Sequence, residues 1–160
     1  MSGVGVQIDI LGMEAVIGRV EALGRLQLAE LAEGLARMGQ QQTKRRIEDE
    51  KSSPDGAKWP LTKDGRPALF VSGTHLDRSI DYAASGTEAR WGTGWIGARV
   101  HQFGAVIKPK GAKALHFKFA GKDVFAKQVT VPARPYLGVS ADNARDLEAA
   151  AAKFIERVVQ

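Results

Sequence analysis

Gly92-Thr93-Gly94-Trp95-Ile96-Gly97 is a formal GxGxxG, the spacing that lets a backbone approach a pyrophosphate at a helix N-terminus. Such a site needs a buried parallel strand before it and an acidic residue about 20 positions later to hold a ribose. The strand in front of this run, EARW, is polar and reads as one arm of a hairpin. Residues 112–120 contain no acid, and the helix that follows is too short for a crossover. The run therefore reads as a glycine-rich turn. His75 and Asp77 lie beside Ser72 and Ser79, which raises hydrolysis, but no G-x-S-x-G elbow presents either serine. His75, His101 and His116 lack metal-ligand spacing, and no HExxH occurs. His101 falls on an apolar helical face and reads as a structural histidine. Glu48-Asp49-Glu50 reads as a solvated charge run, and there is no GxxxxGK phosphate loop. We expect no catalytic, cofactor-binding or metal-binding residues.

A nucleic-acid surface is the better-supported chemistry. Arg99, Lys108, Lys110, Lys113, Lys118, Lys122 and Lys127 fall near Phe117, Phe119 and Phe125, and basic residues beside aromatics can track a phosphate backbone and stack bases. Alternation argues against it. Lys118 lies opposite Phe117 and Phe119, which predicts phenylalanines facing a core and lysines facing water. The charge is uneven along the chain. The net charge is +5, yet residues 58–135 hold thirteen Lys/Arg against five Asp/Glu, while both flanks are slightly acidic. A basic middle attracts nucleic acid, a membrane surface or an acidic protein.

At 160 residues the chain is expected to form one domain with a real core. It has no cysteine, which excludes a disulfide scaffold and fits a reducing compartment. No apolar run approaches the length of a membrane span, and the first residues lack the basic start of a signal peptide. We expect a soluble protein made in a cytoplasm, with no membrane partner.

These residues must be carried by an α+β arrangement. Val4, Val6, Ile8 and Ile10 alternate with Gly5, Gln7 and Asp9, predicting an N-terminal strand. Val16, Val20, Leu23, Leu31, Leu35 and Met38 form the stripe of a long amphipathic helix from about Met13 to Glu50. Gly18, Gly24, Gly34 and Gly39 are places where it could kink. Residues 52–67 carry three prolines and two Asp-Gly pairs and predict a loop. We expect about 51–67 to be mobile in the free subunit and to order on assembly, with Trp59 as its anchor. Residues 79–84 and 88–93 predict one hairpin, and roughly 113–131 a second, longer one. Residues 95–103 predict a short helix with Ile96, Val100 and Phe103 on its apolar side and Gly104 as its stop. Ser140 or Asp142 caps a C-terminal helix bearing Leu147, Ala151, Phe154 and Val158. The prediction is one antiparallel or mixed sheet from the two hairpins and the N-terminal strand, packed against the long helix and the C-terminal helix.

Between the second hairpin and the last helix lies VPARPYLGVS, residues 131–140. Pro132 and Pro135 cannot donate to a ladder and end the sheet there, and each keeps its predecessor extended. The product is a stiff connector that holds Arg134 and Tyr136 either outward or against a neighbour. In one reading both meet an assembly partner. In the other, Tyr136 and Leu137 plug the chain's own core and Arg134 pairs with an acid such as Asp142.

The strings SPDGAKWPLT, SGTHLDRSI, ARVHQFG and VTVPARPYLGVS, in this order and spacing, resemble the phage virion morphogenesis family, the tail completion proteins of Mu-like and P2-like tailed phages and their prophages. The resemblance covers roughly residues 40–155, and VHQFG followed by PARPYLG is its most specific part. It implies a non-enzymatic virion component, assembled in the bacterial host cytoplasm, that acts late in tail completion or head–tail joining. It also implies a ring-forming homo-oligomer whose partners are other tail or head–tail connector proteins. The alternative is a nucleic-acid-binding module using the basic hairpin. The residues assigned to assembly are Trp59, Arg99, His101, Gln102, Phe103, Arg134, Pro135 and Tyr136.

Overall fold

The computed structural model describes residues 18, 21, 28–63, 65–69, 75–119 and 121–160. The expected N-terminal strand, and most of the helix expected before Leu28, lie outside them.

Helix α1 spans Leu28–Arg45 and closes in a π-helical turn, Arg46–Glu50. The end near Glu50 agrees with the sequence expectation, and the helix runs unbroken through Gly34 and Gly39. Its buried positions are Ala32, Ala36, Gly39, Gln42 and Thr43, while Leu31, Leu35 and Met38 are only half-buried. Small residues face the hairpin β1–β2 (Ile80–Ser85 and Glu88–Thr93) because its Trp91 packs closely on the helix. A Cβ on Gly39 would stand 2.5 Å from the Trp91 ring, whereas nothing lies within 4 Å of the same atom on Gly34. Alanine at these two helical positions therefore acts with opposite signs. Gly34→Ala is expected to stabilise by about 1 kcal/mol through helix propensity. Gly39→Ala is expected to destabilise by about 1–3 kcal/mol through overpacking. Thermal unfolding of the two variants checks this, and effects of one sign would refute the packing argument.

A short helix α2 (His75–Arg78) precedes β1, which pairs with β2 from Ile80↔Thr93 to Ser85↔Glu88 across a two-residue turn at Gly86 and Thr87. Helix α3 (Ala98–Phe103) follows, then β3 (Ala105–Ile107), β4 (Leu115–Phe119), β5 (Lys122–Ala126) and β6 (Val129–Val131). The last helix, α4 (Ala141–Val159), is capped by Ser140, whose hydroxyl accepts from the Asn143 amide at 3.2 Å. It runs antiparallel to α1: Gln42 donates to the Asn143 carbonyl at one end, and Arg157 meets Glu30 at the other.

The α+β class is as expected, with long helices towards both ends and antiparallel pairs between them. Three details differ. Among the described residues the strands form three separate two-stranded sheets rather than one. The long hairpin is two nested ladders, because β4 pairs with β5 while β6 pairs with β3 in register Ala105↔Val131. Lastly, the apolar positions of the middle segment are not uniformly inside. Ile96 is 95% exposed, Phe103 72% and Phe125 70%. The buried cluster is instead Ile47, Trp59, Leu76, Ile80, Ala98 and Tyr136, one or two residues from each of several segments. Periodicity identifies a face, but it does not say whether the fold supplies something to cover that face.

Candidate functional site

The β3–β6 ladder brings the end of ARVHQFG beside the start of PARPYLG, although about 30 residues separate them in the chain. Gly104, between α3 and β3, has φ 72°, and a Cβ there would stand 2.8 Å from the Ala133 amide nitrogen. Only glycine lets the two backbones approach so closely. The Arg134 amide then donates to the His101 carbonyl at 2.7 Å.

Gln102 completes the junction with its side chain. Its Oε1 accepts from the Tyr136 and Leu137 amides, each at 3.0 Å, and its Nε2 donates to the Leu137 carbonyl at 3.1 Å. One amide thus replaces a sheet neighbour for a segment whose prolines forbid a regular ladder. Tyr136 is fully buried, and its hydroxyl donates to the Ala98 carbonyl at 3.3 Å. Burial pushes the pKa of that phenol up to about 12, so it stays protonated and remains a donor.

Two further side chains lock the elbow from other segments. The Trp59 indole, 7% exposed, donates to Ser53 Oγ at 3.1 Å and to the Pro135 carbonyl at 3.2 Å. Arg134, 6% exposed, reaches the other way. Its Nε and Nη2 each donate to the Pro60 carbonyl at 3.2 Å, and Nη2 also approaches the Leu61 carbonyl at 3.4 Å. The loop and the elbow therefore hold each other. Beneath them lies Arg46, 1% exposed. Its Nη1 donates to the Tyr136 and Gly138 carbonyls at 2.9 Å, and its Nη2 to Asn143 Oδ1. Burial lowers the pKa of both guanidinium groups, and Glu50 partly offsets this at Arg46. Both remain cations, as arginine does in proteins. His101 stacks on Trp95 with ring centroids 5.5 Å apart. Burial, with the Arg134 charge second, lowers its pKa, which keeps the ring neutral near pH 7.

Of the residues assigned from sequence, Trp59, His101, Gln102, Arg134, Pro135 and Tyr136 meet in this one clasp. Trp59, Arg134 and Tyr136 are buried; Tyr136 and Leu137 pack in the chain's own core as in the second reading of the elbow, but Arg134 has no acidic partner among the described residues. Arg134 is held by carbonyls of the loop, while Asp142 is engaged by Arg145. Arg99 and Phe103 stand outside the clasp and are exposed, as is Ile96 in the turn before α3. Sequence reasoning missed Arg46 and Asn143. Arg46 sits in KRRIEDE, where nothing separates a buried cation from a solvated one.

The glycine-rich run leaves β2 after Thr93 and turns into α3 through residues 94–97. Gly92 lies in an antiparallel strand, and a Cβ on Gly97 would stand 2.4 Å from the Trp95 ring, so that glycine makes room for an indole. Ser79 is hydrogen-bonded to Thr93 and to the Leu76 carbonyl. Ser72 lies outside the described residues. Among the described residues no group of His, Cys, Asp and Glu could hold a metal ion.

A model of the phage virion morphogenesis family matches residues 8–156, a span that takes in every element of the clasp. The chain belongs to the phage virion morphogenesis family. No curated protein and no solved structure matches it. Membership points to a structural or assembly role in a phage virion, with partners among other virion proteins. For this virion morphogenesis protein, no helix among the described residues is long and apolar enough to cross a membrane.

Proposed function

We propose that the chain is a non-enzymatic, oligomeric subunit of a tailed phage or prophage virion that acts in tail completion or head–tail joining. The observation that carries this reading is the exposed face built on the clasp. Ile96, Arg99 and Phe103 stand outward on α3 and the turn before it, while Gln102 on the same helix is tied to the elbow. Large apolar residues beside an arginine on a rigid support are what a protein interface uses, because little entropy is lost on docking. Loop 51–67, joined to the elbow through Arg134, carries exposed Leu61, and what mobility the loop keeps is lost on assembly.

The test is complementation of a phage or prophage that lacks the gene. Phe103→Asp is expected to leave the melting temperature of the purified chain within about 2 °C, since exposed substitutions change stability little. The same variant is expected to reduce infectious particles roughly 100-fold, the effect of losing an interface hot spot. Heads and unfinished tails should then be visible by electron microscopy. Normal particle yield with Phe103→Asp would refute this assignment of the surface. Complete particles from the deletion itself would refute the function.

A further inference from the structure

Among the described residues, the hairpin β4–β5 stands apart from the other elements. Its strands pair with each other and make at most marginal contact with any other described element. Directly opposed residues share a face. Leu115/Ala126, Phe117/Val124 and Phe119/Lys122 lie on one, and His116/Phe125 and Lys118/Asp123 on the other. The first face is almost wholly apolar, and none of its members belongs to the buried cluster. An isolated two-stranded hairpin is at best marginally stable in water. The arm is also strongly basic: residues 108–127 hold six lysines and one acid, Asp123.

A complementary surface lies on the same chain. Along the α1–α4 seam runs an open groove of about 370 Å³, floored by Leu31, Leu35, Met38, Ala150 and Phe154. Glu30 and Glu33 stand at its rim. Their partners, Arg157 at 3.2 Å and Arg37 at 2.9 Å, are exposed, and exposed pairs of this kind are weak enough for an incoming lysine to replace.

We propose that the β4–β5 arm of one subunit docks, apolar face down, into the α1–α4 groove of a second copy. The inference rests on the oligomeric reading above and deepens it by naming the two surfaces. This face, half-buried at Leu115, Phe117, Val124 and Ala126 and exposed at Phe119, is aliphatic as well as aromatic, which a protein groove matches and a phosphate backbone does not, and the lysines of the arm meet the glutamates of the rim. Arm and groove are different surfaces, so the contact is head-to-tail and can repeat from copy to copy.

The experiment uses the full chain and two variants, with masses read by native mass spectrometry. Phe117→Ser with Val124→Ser spoils the arm and leaves the groove. Ala150→Arg fills the groove with a cation and leaves the arm. Circular dichroism first establishes that each keeps its helices. The unmodified chain is expected to form oligomers, and each variant alone to be monomeric. An equimolar mixture of the two is expected to give a dimer of one copy each and nothing larger, because only one productive contact remains. The proposal is overturned if the unmodified chain stays monomeric, if the arm variant assembles normally, or if the mixture yields no dimer. Cross-linking of residues 4–23 into the groove of their own chain would overturn it. So would salt-sensitive binding of a short DNA duplex that the arm variant loses without any change in self-association. The phage deletion reads the virion role separately, so the docking of arm into groove can fail while that role stands.

Discussion

Arg46→Ala is expected to destabilise the chain by about 3–5 kcal/mol, because three acceptors lose a charged donor at once. For a domain of this size that is a fall in melting temperature on the order of 10 °C. The magnitude follows from what the guanidinium holds. Alanine leaves the buried Tyr136 carbonyl and Asn143 Oδ1, and the part-buried Gly138 carbonyl, without their donor. Arg46→Lys is expected to recover less than half of the loss, because an ammonium cannot span acceptors on two segments as a planar fork does. Thermal unfolding of both variants measures this. A fall under about 2 °C for Arg46→Ala, less than 1 kcal/mol would give, would show that water replaces the side chain and that the elbow is held without it.

The second large effect is expected at Arg134. Its neighbours in PARPY suggest a residue displayed to a partner, in which case alanine would leave the isolated chain as stable as before. The clasp changes that expectation. Arg134→Ala removes the donors to the Pro60 and Leu61 carbonyls and is expected to destabilise by about 2–3 kcal/mol. The loss should appear first in the loop, since Arg134, with Trp59, joins loop to elbow. Trypsin is expected to cut the variant several-fold faster than the unmodified chain at Lys58 or Lys63. Melting and cleavage both unchanged, with assembly lost, would restore the display reading and remove Arg134 from the clasp.

The class of the fold was legible in the sequence. Hydrophobic period distinguishes helix from strand, so α4, the end of α1 and both hairpins could be placed from residue spacing. Turn chemistry did the same for loop 52–67, and the failed context around Gly92–Gly97 already separated a turn from a dinucleotide site. The strings around His101 and Arg134 were also enough to single out the family. Pairing between distant segments was not legible. Nothing in VTV marks β6 as the partner of β3 rather than the end of a hairpin, because three residues carry no register and the choice depends on Gly104 admitting the elbow. Inside and outside were equally hidden wherever a side chain is amphipathic. Arg46, Arg134, Trp59 and Tyr136 each combine a large apolar body with polar hydrogen-bonding groups, so the same residues suit a core or an interface. Which one they serve depends on where their partners are, and those partners are mostly backbone carbonyls brought close only by folding. Phe103 and Phe125 show the converse: their spacing reads as core, and only the tertiary structure shows that no described element covers them.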